Sequence, residues 1–225
     1  MIHVRTKFDR PDPEVVAAIA QFSSATIHEA QGRKGAISYR IKPVDPSMEF
    51  CGPAVTVQAH PGDNTMTQVA ISYAQKGDVI VVTAGELAHS GGFGDVMATA
   101  SHAKGLVAFV TDSGIRDSAD IRRLGFPVFS GSISIEGTVK ETLGPVNYPI
   151  AIGGQIVEPG DIVKGDADGV VIVKPEQAAE VARLCQERED HEANIRTEHR
   201  EQERMLIEIH GLTEKLKAKG LIVED

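Results

Sequence analysis

The first 130 residues alternate between helical and strand patterns of apolar positions. Apolar residues that recur every three or four positions, as in Val15, Ile19 and Phe22, predict amphipathic helices. Continuous apolar runs between turn-forming residues, such as Val79–Thr83, predict strands that are buried on both faces. The predicted helices are residues 11–22, 25–31, 64–74, 94–104 and 118–124. The predicted strands are residues 52–59, 79–83, 106–111 and 127–130.

Two polar residues are expected to mark element boundaries in this half. Asn64 follows a Pro-Gly-Asp turn and is expected to cap the third helix. Asp112 follows the strand at 106–111 and is expected to begin a turn at its end.

From Gly131 onward the pattern is dominated by short β segments. These segments alternate with turns that contain Gly, Pro or Asp. They are residues 137–140, 150–152, 161–164 and 170–173. The pattern predicts a second, partly antiparallel sheet that packs against the first.

A long polar helix is predicted near the C-terminus, over residues 177–208, with Pro175 in its first turn. Its apolar stripe consists of Ala178, Val181, Ala182 and Cys185. Beyond this stripe the helix is polar nearly all round, and such a helix is seldom stable alone. We infer that it lies on another subunit; the alternative is a solvated helix or a frayed tail.

These elements predict an α/β fold, a layered α/β/β sandwich with a mixed sheet, a second small sheet and a long C-terminal helix. We expect residues 1–185 to form the main domain. We expect residues 186–225 to form a helical extension that contacts a neighbouring subunit.

Composition limits the partners. The chain has 225 residues and a net charge of −9, which argues against nucleic acid and anionic membrane partners, since both require positive charge. No apolar run approaches the length of a membrane span. The N-terminal residues do not resemble a signal peptide, and two cysteines, Cys51 and Cys185, fit a reducing compartment. We therefore expect a cytoplasmic protein.

A glycine-rich turn, Gly91–Gly94, precedes a helix whose first turn contains Asp95, Val96 and Met97. The backbone N–H groups at a helix start have no intrahelical partner, so they can bind an anion such as a carboxylate. The alternative interpretation is an ordinary turn, with Asp95 as an acid that stabilises the helix dipole.

Arg116 and Asp117 follow the predicted strand at 106–111. Ligand groups collect beyond the carboxyl ends of strands in α/β sheets. The carboxylate of Asp117 suits Mg²⁺ or Mn²⁺, and Arg116 can hold a carboxylate or an enolate in forked geometry. The alternative is a surface ion pair of little energetic value.

Seven blocks of the chain, taken in order, carry a resemblance to a known family. They are residues 24–30, 61–64, 94–95, 113–117, 137–147, 159–161 and 166–171. Over about residues 10–200 the chain resembles the class II pyruvate aldolases of aromatic-acid degradation, which cleave 4-hydroxy-4-methyl-2-oxoglutarate or 4-carboxy-4-hydroxy-2-oxoadipate. That family shares its fold with the regulator of ribonuclease activity A.

The resemblance implies a role for each candidate site residue. Asp117 would bind the divalent metal, Mg²⁺ or Mn²⁺, and Arg116 would stabilise the enolate of the pyruvate half. Asp95 would hold water beside the metal and orient the base. Glu192, from a neighbouring subunit, would complete the site; alternatively it is one charge among several on a solvated helix, beside Glu187 and Glu189. The implied substrate contacts are Gly94, Asp95, Val96, Met97 and Arg116.

The implied function is a metal-dependent lyase that releases pyruvate from a small 4-hydroxy-2-oxo di- or tricarboxylate, within a homotrimer or homohexamer. An oxaloacetate decarboxylase needs the same enolate and is the second hypothesis; a non-catalytic ribonuclease regulator is the third. The chain departs from the aldolase pattern at Gly92, where the family has an aromatic residue, and at Thr65, where it has tryptophan. These departures leave the substrate open.

Overall fold

The computed structural model of the chain describes residues 3–85, 89–202 and 205–222. The helices are α1 Pro13–Ala20, α2 Ser24–Ala30, α3 Thr65–Tyr73, α4 Asp95–Ala103, α5 Ser118–Leu124, α6 Ala178–Gln202, α7 Leu206–Ile209 and α8 Leu212–Ala218. The strands are β1 Lys42–Pro43, β2 Phe50–Gln58, β3 Val79–Thr83, β4 Gly91–Phe93, β5 Ala108–Ile115, β6 Val128–Ile133, β7 Ile150–Ile152, β8 Gln155–Val157, β9 Ile162–Asp166 and β10 Gly169–Val173.

One mixed sheet organises the molecule. Its strand order is β1-β6-β5-β3-β2-β9-β10, and β4 pairs with β5. The four central strands β2, β3, β5 and β6 run parallel, so the carboxyl ends of β3, β5 and β6 meet at one edge. The sheet curls until β1 approaches β10. Together with the small β7-β8 sheet and the long α6, this confirms the predicted fold class.

The central strands are stabilised by burial on both faces. Every residue of β3 and β5 is buried, as the continuous apolar run of Val79–Thr83 predicts. Phe93 of β4 stacks on Phe109 of β5 with ring centroids 3.8 Å apart. This aromatic contact anchors the short β4 strand to the sheet immediately before the start of α4.

The predicted apolar stripe of the long helix is confirmed. Ala178, Val181 and Cys185 of α6 are buried in a cluster with residues of α1 and α2. The predicted end of this helix is wrong: α6 ends at Gln202, and Met205 has extended backbone angles before two short helices. None of the helices within the described ranges combines the length and apolarity that crossing a bilayer requires.

The predicted location of the second sheet is wrong in part. Strands β9 and β10 join the main sheet, because β9 pairs antiparallel with the edge of β2. The second sheet consists of β7 and β8 alone. The segment 137–140 forms no strand and contributes an isolated bridge between Asp63 and Val139.

The turn before α3 differs from the expected cap. Asn64 occupies the cap position, but it makes no side-chain cap; its amide Nδ2 donates to the carbonyl of Gly92 at 3.2 Å. Asp63 instead makes the side-chain hydrogen bond to the start of α3: its Oδ1 accepts from the N–H of Thr65 at 2.8 Å. Its Oδ2 accepts from the N–H groups of Glu141 and Thr142, both at 2.8 Å. Asp63 therefore ties the start of α3 to the chain after Gly137.

We expect Asp63→Asn to lower the free energy of unfolding by about 2–3 kcal/mol at pH 7, because an amide group would face buried N–H donors. Desolvation acts to raise the pKa of Asp63, but hydrogen bonds from Thr65, Glu141 and Thr142 outweigh it and hold the pKa well below its usual range. A depressed folded pKa stabilises the protein above the unfolded pKa of about 3.9, and this stabilisation is lost as pH falls through the folded pKa.

Urea unfolding of both proteins between pH 7 and pH 3 measures the effect. The stability difference should be greatest near pH 7 and should narrow at the acid end. Asp120→Asn, at an exposed carboxylate of α5, is the matched control and should differ little from the parent. Equal unfolding midpoints for Asp63→Asn and the parent at pH 7 would contradict the assigned role.

Candidate active site

Arg116 and Asp117 lie directly after β5, at the edge where the parallel strands end. Asp117 has left-handed backbone angles, φ 55° and ψ 35°, and precedes α5. A non-glycine residue with positive φ is uncommon, and aspartate is among the residues that tolerate it. This sharp turn leaves both side chains exposed beside the start of α4.

Gly94 allows the chain before α4 to approach this pair closely. A Cβ at position 94 would lie 2.5 Å from Oδ2 of Asp117 and 3.2 Å from Nε of Arg116. A larger residue at position 94 would therefore displace the side chain of Asp117 and crowd that of Arg116. The glycine-rich turn thus allows the backbone to lie close to the charged groups of Arg116 and Asp117.

Three residues of the predicted site, Asp95, Arg116 and Asp117, lie together. The N–H of Asp95 donates to Oδ2 of Asp117 at 3.3 Å, and Nε of Arg116 lies 3.5 Å from the same oxygen. The backbone N–H of Arg116 donates to the carbonyl of Phe93 at 2.9 Å, which holds β5 and β4 in register at this point. The carboxylate of Asp117, the guanidinium of Arg116 and the backbone of Asp95 therefore share one edge of the sheet.

The first turn of α4 offers open backbone donors. Along this turn, the N–H of Ala98 is the first that donates to a carbonyl of the helix region, that of Gly94, at 2.9 Å. Among the residues that the structure describes, the N–H groups of Val96 and Met97 have no acceptor. With the helix dipole, these donors can bind a carboxylate beside Arg116.

Asn64 is a supporting residue that the sequence interpretation missed. Its Nδ2 donates to the carbonyl of Gly92 and lies 3.7 Å from the sulfur of Met97, while Gln68 donates to its Oδ1 at 2.9 Å. These contacts link α3 to both sides of the Gly94 turn. The available signal was the Pro-Gly-Asp-Asn block, whose asparagine is better placed for this contact than for a helix cap.

An open depression of about 420 Å³ adjoins the charged pair. Its polar wall contains Arg116 and Asp117, whose side chains are 49% and 36% exposed. Its apolar wall contains Ile133 and Ile135 from the end of β6 and the following residues. A small oxo acid can be accommodated in a volume of this size, although this chain alone leaves the depression open to solvent.

The expected turn at Asp112 is wrong, because β5 continues to Ile115. Asp112 is buried within the strand; Thr83 donates its hydroxyl to Oδ2 at 2.6 Å, and the N–H of Ala84 donates to Oδ1 at 2.9 Å. Burial raises the pKa of Asp112 despite these hydrogen bonds. Asp112 thus joins β3 to β5 behind the site.

The residues present fit a hard divalent cation that keeps most of its water. Among the described residues no donor lies on Oδ1 of Asp117, and the side chain is 36% exposed. No group of three or more His, Cys, Asp or Glu side chains within the described residues could hold a metal. Mg²⁺ commonly uses only one or two protein carboxylates together with substrate oxygens and water, and Asp117 can provide such a ligand.

Glu192 does not meet the other site residues within one chain. It lies on α6 between two arginines, 2.9 Å from Nε of Arg188 and 3.5 Å from Arg196. Arg188 also lies 3.7 Å from Glu29 of α2. The participation of Glu192 therefore requires a neighbouring subunit and stays a prediction.

Comparisons with known proteins identify the family of the chain. The family model described as RraA-like, Aldolase/RraA, matches residues 19–172. A protein of Halalkalibacterium halodurans, named "Putative 4-hydroxy-4-methyl-2-oxoglutarate aldolase", is 36% identical over 157 residues, which are 69% of this chain and 75% of that protein.

Solved structures share the fold. Streptomyces coelicolor RraAS2, described as an unusual member of the RNase ES inhibitor RraA protein family, is 31% identical with a TM-score of 0.76, over 84% of this chain and 99% of that chain. An uncharacterized protein from Pseudomonas syringae is 26% identical with a TM-score of 0.74, over 85% and 94% of the respective chains.

Proposed function

Because the chain belongs to the Aldolase/RraA family, we propose that it is a divalent-metal-dependent lyase that releases pyruvate from a 4-hydroxy-2-oxo di- or tricarboxylate. The candidate substrates are 4-carboxy-4-hydroxy-2-oxoadipate and 4-hydroxy-4-methyl-2-oxoglutarate. The observation that carries the proposal is the meeting of Arg116, Asp117 and the start of α4 at Gly94.

Substrate binding uses charge and open donors together. The pyruvate carboxylate binds the N–H groups of Val96 and Met97, where the helix dipole favours negative charge. The adjacent 2-keto oxygen then faces the guanidinium of Arg116 across the turn. Gly94 permits this approach because it places no side chain between α4 and Arg116.

The cleavage step places charge on one oxygen. A base takes the proton of the C4 hydroxyl, the C3–C4 bond breaks, and its electron pair moves to the 2-keto oxygen as an enolate, while C4 becomes a carbonyl. Arg116 stabilises the enolate electrostatically, and Asp95 orients the water that takes the proton. Protonation of the enolate at C3 then yields pyruvate.

A divalent cation held by Asp117 would supply additional positive charge at the same edge and lower the pKa of water there. A requirement for a divalent metal distinguishes the proposed lyase from aldolases that form a Schiff base with a lysine. Asp117 is suited to the role because its position after β5 is fixed by the left-handed turn and by the N–H of Asp95.

Pyruvate release in the presence and absence of metal tests the proposal. Purified protein is offered each of the two hydroxy-oxo acids and oxaloacetate with Mg²⁺ or Mn²⁺, or with EDTA, and pyruvate is followed through a coupled dehydrogenase. We expect release from at least one hydroxy-oxo acid that EDTA abolishes and added metal restores. Release from oxaloacetate alone would favour the decarboxylase hypothesis, and no metal-dependent release from any of the three would exclude the lyase.

The likeness to Streptomyces coelicolor RraAS2 supports a second candidate, a regulator that binds a ribonuclease. This function requires a protein-binding surface and does not require Arg116, Asp117 and open amides at one point. Inhibition of a ribonuclease E-type enzyme by this protein, unchanged in an Arg116→Ala variant, would favour the regulator. Loss of pyruvate release in the same variant would favour the lyase.

A further inference from the structure

A second depression lies apart from the candidate active site, between the segment before β1 and the carboxyl-terminal halves of β5 and β6. Its volume is about 190 Å³. We call it the β5–β6 pocket, and its lining residues are Ser38, Arg40, Ile41, His89, Asp112, Gly131 and Ser132. Among the described residues, none lines both this pocket and the depression beside Arg116 and Asp117. Ligand sites in α/β proteins commonly lie at this end of the parallel strands.

Asp112 reaches the β5–β6 pocket from one face of β5. The hydroxyl groups of Thr111 and Ser113 lie 3.0 Å apart, so these side chains share one face, and Asp112 between them points from the other. On β6, a Cβ at position 131 would collide with the carbonyl oxygen of Asp112. Gly131 therefore lets the two backbones approach each other and places no side chain in the pocket.

The pocket has a buried floor and an exposed rim with different charges. Ile41 and Asp112 are only 1% and 6% exposed, and they form the floor. Arg40, His89 and Ser132 are exposed and form the rim. A ligand that extends from the floor to the rim therefore meets a carboxylate at one end and nitrogen donors at the other.

The carboxylate of Asp112 is held by neutral groups. It accepts hydrogen bonds from the hydroxyl of Thr83 at 2.6 Å and from the backbone N–H of Ala84 at 2.9 Å. Desolvation outweighs these hydrogen bonds, since the pKa of Asp112 is raised above its ordinary value. A buried carboxylate in this state is stabilised by a cationic group that comes within about 4–6 Å. The floor of the pocket thus favours a ligand with a positively charged end.

The rim favours a negatively charged end of the same ligand. The guanidinium of Arg40 has the forked donor geometry that suits a carboxylate, and the imidazole of His89 supplies a further ring nitrogen. The hydroxyl groups of Ser38 and Ser132 add uncharged donors and acceptors. A simple anion would meet the carboxylate of Asp112. A metal cation would not find three carboxylate, imidazole or thiol ligands among the described residues.

We propose that the β5–β6 pocket binds a small α-amino acid in its zwitterionic form. The ammonium group lies against Asp112 on the floor, and the carboxylate faces Arg40 and His89 on the rim. A volume of about 190 Å³ equals that of roughly six water molecules in the liquid, which matches alanine or serine in size. The site is separate from the proposed lyase centre, so its existence does not depend on the catalytic proposal.

Ligand titration followed by methyl NMR tests the site on the intact protein. The δ1 methyl group of Ile41 belongs to the floor of the pocket, and it should shift when L-alanine or L-serine is added. The matched control is Ile19, which is also fully buried but lies in the separate cluster with α6. Its methyl signal should not shift.

Two fragments of alanine separate the contributions of its charged groups. Propionate lacks the ammonium group and ethylamine lacks the carboxylate, while each keeps the rest of the carbon skeleton. We expect each fragment to bind about tenfold more weakly than L-alanine, because one charged end of the pocket then has no partner. Equal affinity for L-alanine and propionate would indicate a simple anion site, and equal affinity for L-alanine and ethylamine a simple cation site. Either result would overturn the proposal.

Substitutions locate the two charged contacts. Arg40→Gln should weaken L-alanine binding about tenfold, whereas Arg123→Gln, at an exposed arginine of α5, should leave it unchanged. Asp112→Asn should remove the preference for L-alanine over propionate, and circular dichroism checks that this buried replacement folds. Arg116→Ala should bind L-alanine like the parent, because Arg116 belongs to the other depression.

Three further results would contradict amino-acid binding in the β5–β6 pocket. They are an unshifted Ile41 signal with both amino acids, undiminished binding in Arg40→Gln, and loss of binding in Arg116→Ala, which would place the ligand at the candidate active site. If Asp112→Asn does not fold, the two fragments and Arg40→Gln still decide the question. None of these readouts depends on catalysis.

Discussion

Replacing Arg116 with alanine should lower kcat for pyruvate release by about 10²–10³-fold, the usual effect of removing a preorganised donor to a developing oxyanion. The guanidinium is the one cationic side chain among the described residues that pairs with Asp117, with Nε 3.5 Å from its carboxylate. The fold should survive, because the side chain is 49% exposed and the backbone bond to Phe93 remains. Steady-state kinetics with saturating metal measure the loss.

Two variants show whether the geometry of Arg116 matters as well as its charge. Arg116→Lys keeps the charge but loses the forked donors, so it should retain only part of the activity. Arg123→Ala removes an exposed arginine of α5 that pairs with Asp120, and it should remain close to the parent. Near-normal turnover in Arg116→Ala would remove Arg116 from the mechanism.

Local patterns predict those elements whose boundaries are set by their own residues. The strand Val79–Thr83 and the helix Ser118–Leu124 have the predicted bounds. The strand is continuously apolar between turns, and Gly125 ends the helix with left-handed backbone angles. In both cases the residues that start and stop the element lie within it or next to it in sequence.

Elements that depend on a distant partner were not predictable in this way. Residues 112–114 have polar or small side chains, yet they continue β5, because Thr83 and Ala84 satisfy the carboxylate of Asp112. Gly91–Phe93 forms a strand since it pairs with β5 and Phe93 stacks on Phe109. Neither contact is visible in the local pattern of hydrophobic residues.

The same distinction, between what local patterns predict and what depends on distant contacts, applies to the candidate site. Glycine and charge spacing, with the family resemblance, brought forward Asp95, Arg116 and Asp117, and the structure places them together. The contacts of Asn64 with Gly92 and Met97 are visible only in the three-dimensional structure, because they join segments that are distant in sequence. The predicted role of Glu192 concerns yet another level, the assembly of subunits, and stays a prediction.

Mixing two inactive variants should restore activity if Glu192 acts across subunits. Glu192→Gln alone should lower kcat by about 10²-fold, the scale of a lost acid–base group. Arg116→Ala chains still supply Glu192, and Glu192→Gln chains still supply Arg116. In a randomly mixed ring with equal amounts of the two chains, about one quarter of the sites would combine both intact residues. Activity of the mixture after subunit exchange measures this fraction.

The neighbouring glutamates identify the position that acts. Glu187 pairs with Arg183 on the same helix, so Glu187→Gln is a matched control that should keep activity, as should Glu189→Gln. If Glu189→Gln is inactive and Glu192→Gln is active, the site is completed one helical turn earlier than predicted. No recovery on mixing, despite proven subunit exchange, would mean that each chain uses its own Glu192. That result would require α6 to leave α1 and α2, against which its buried stripe packs.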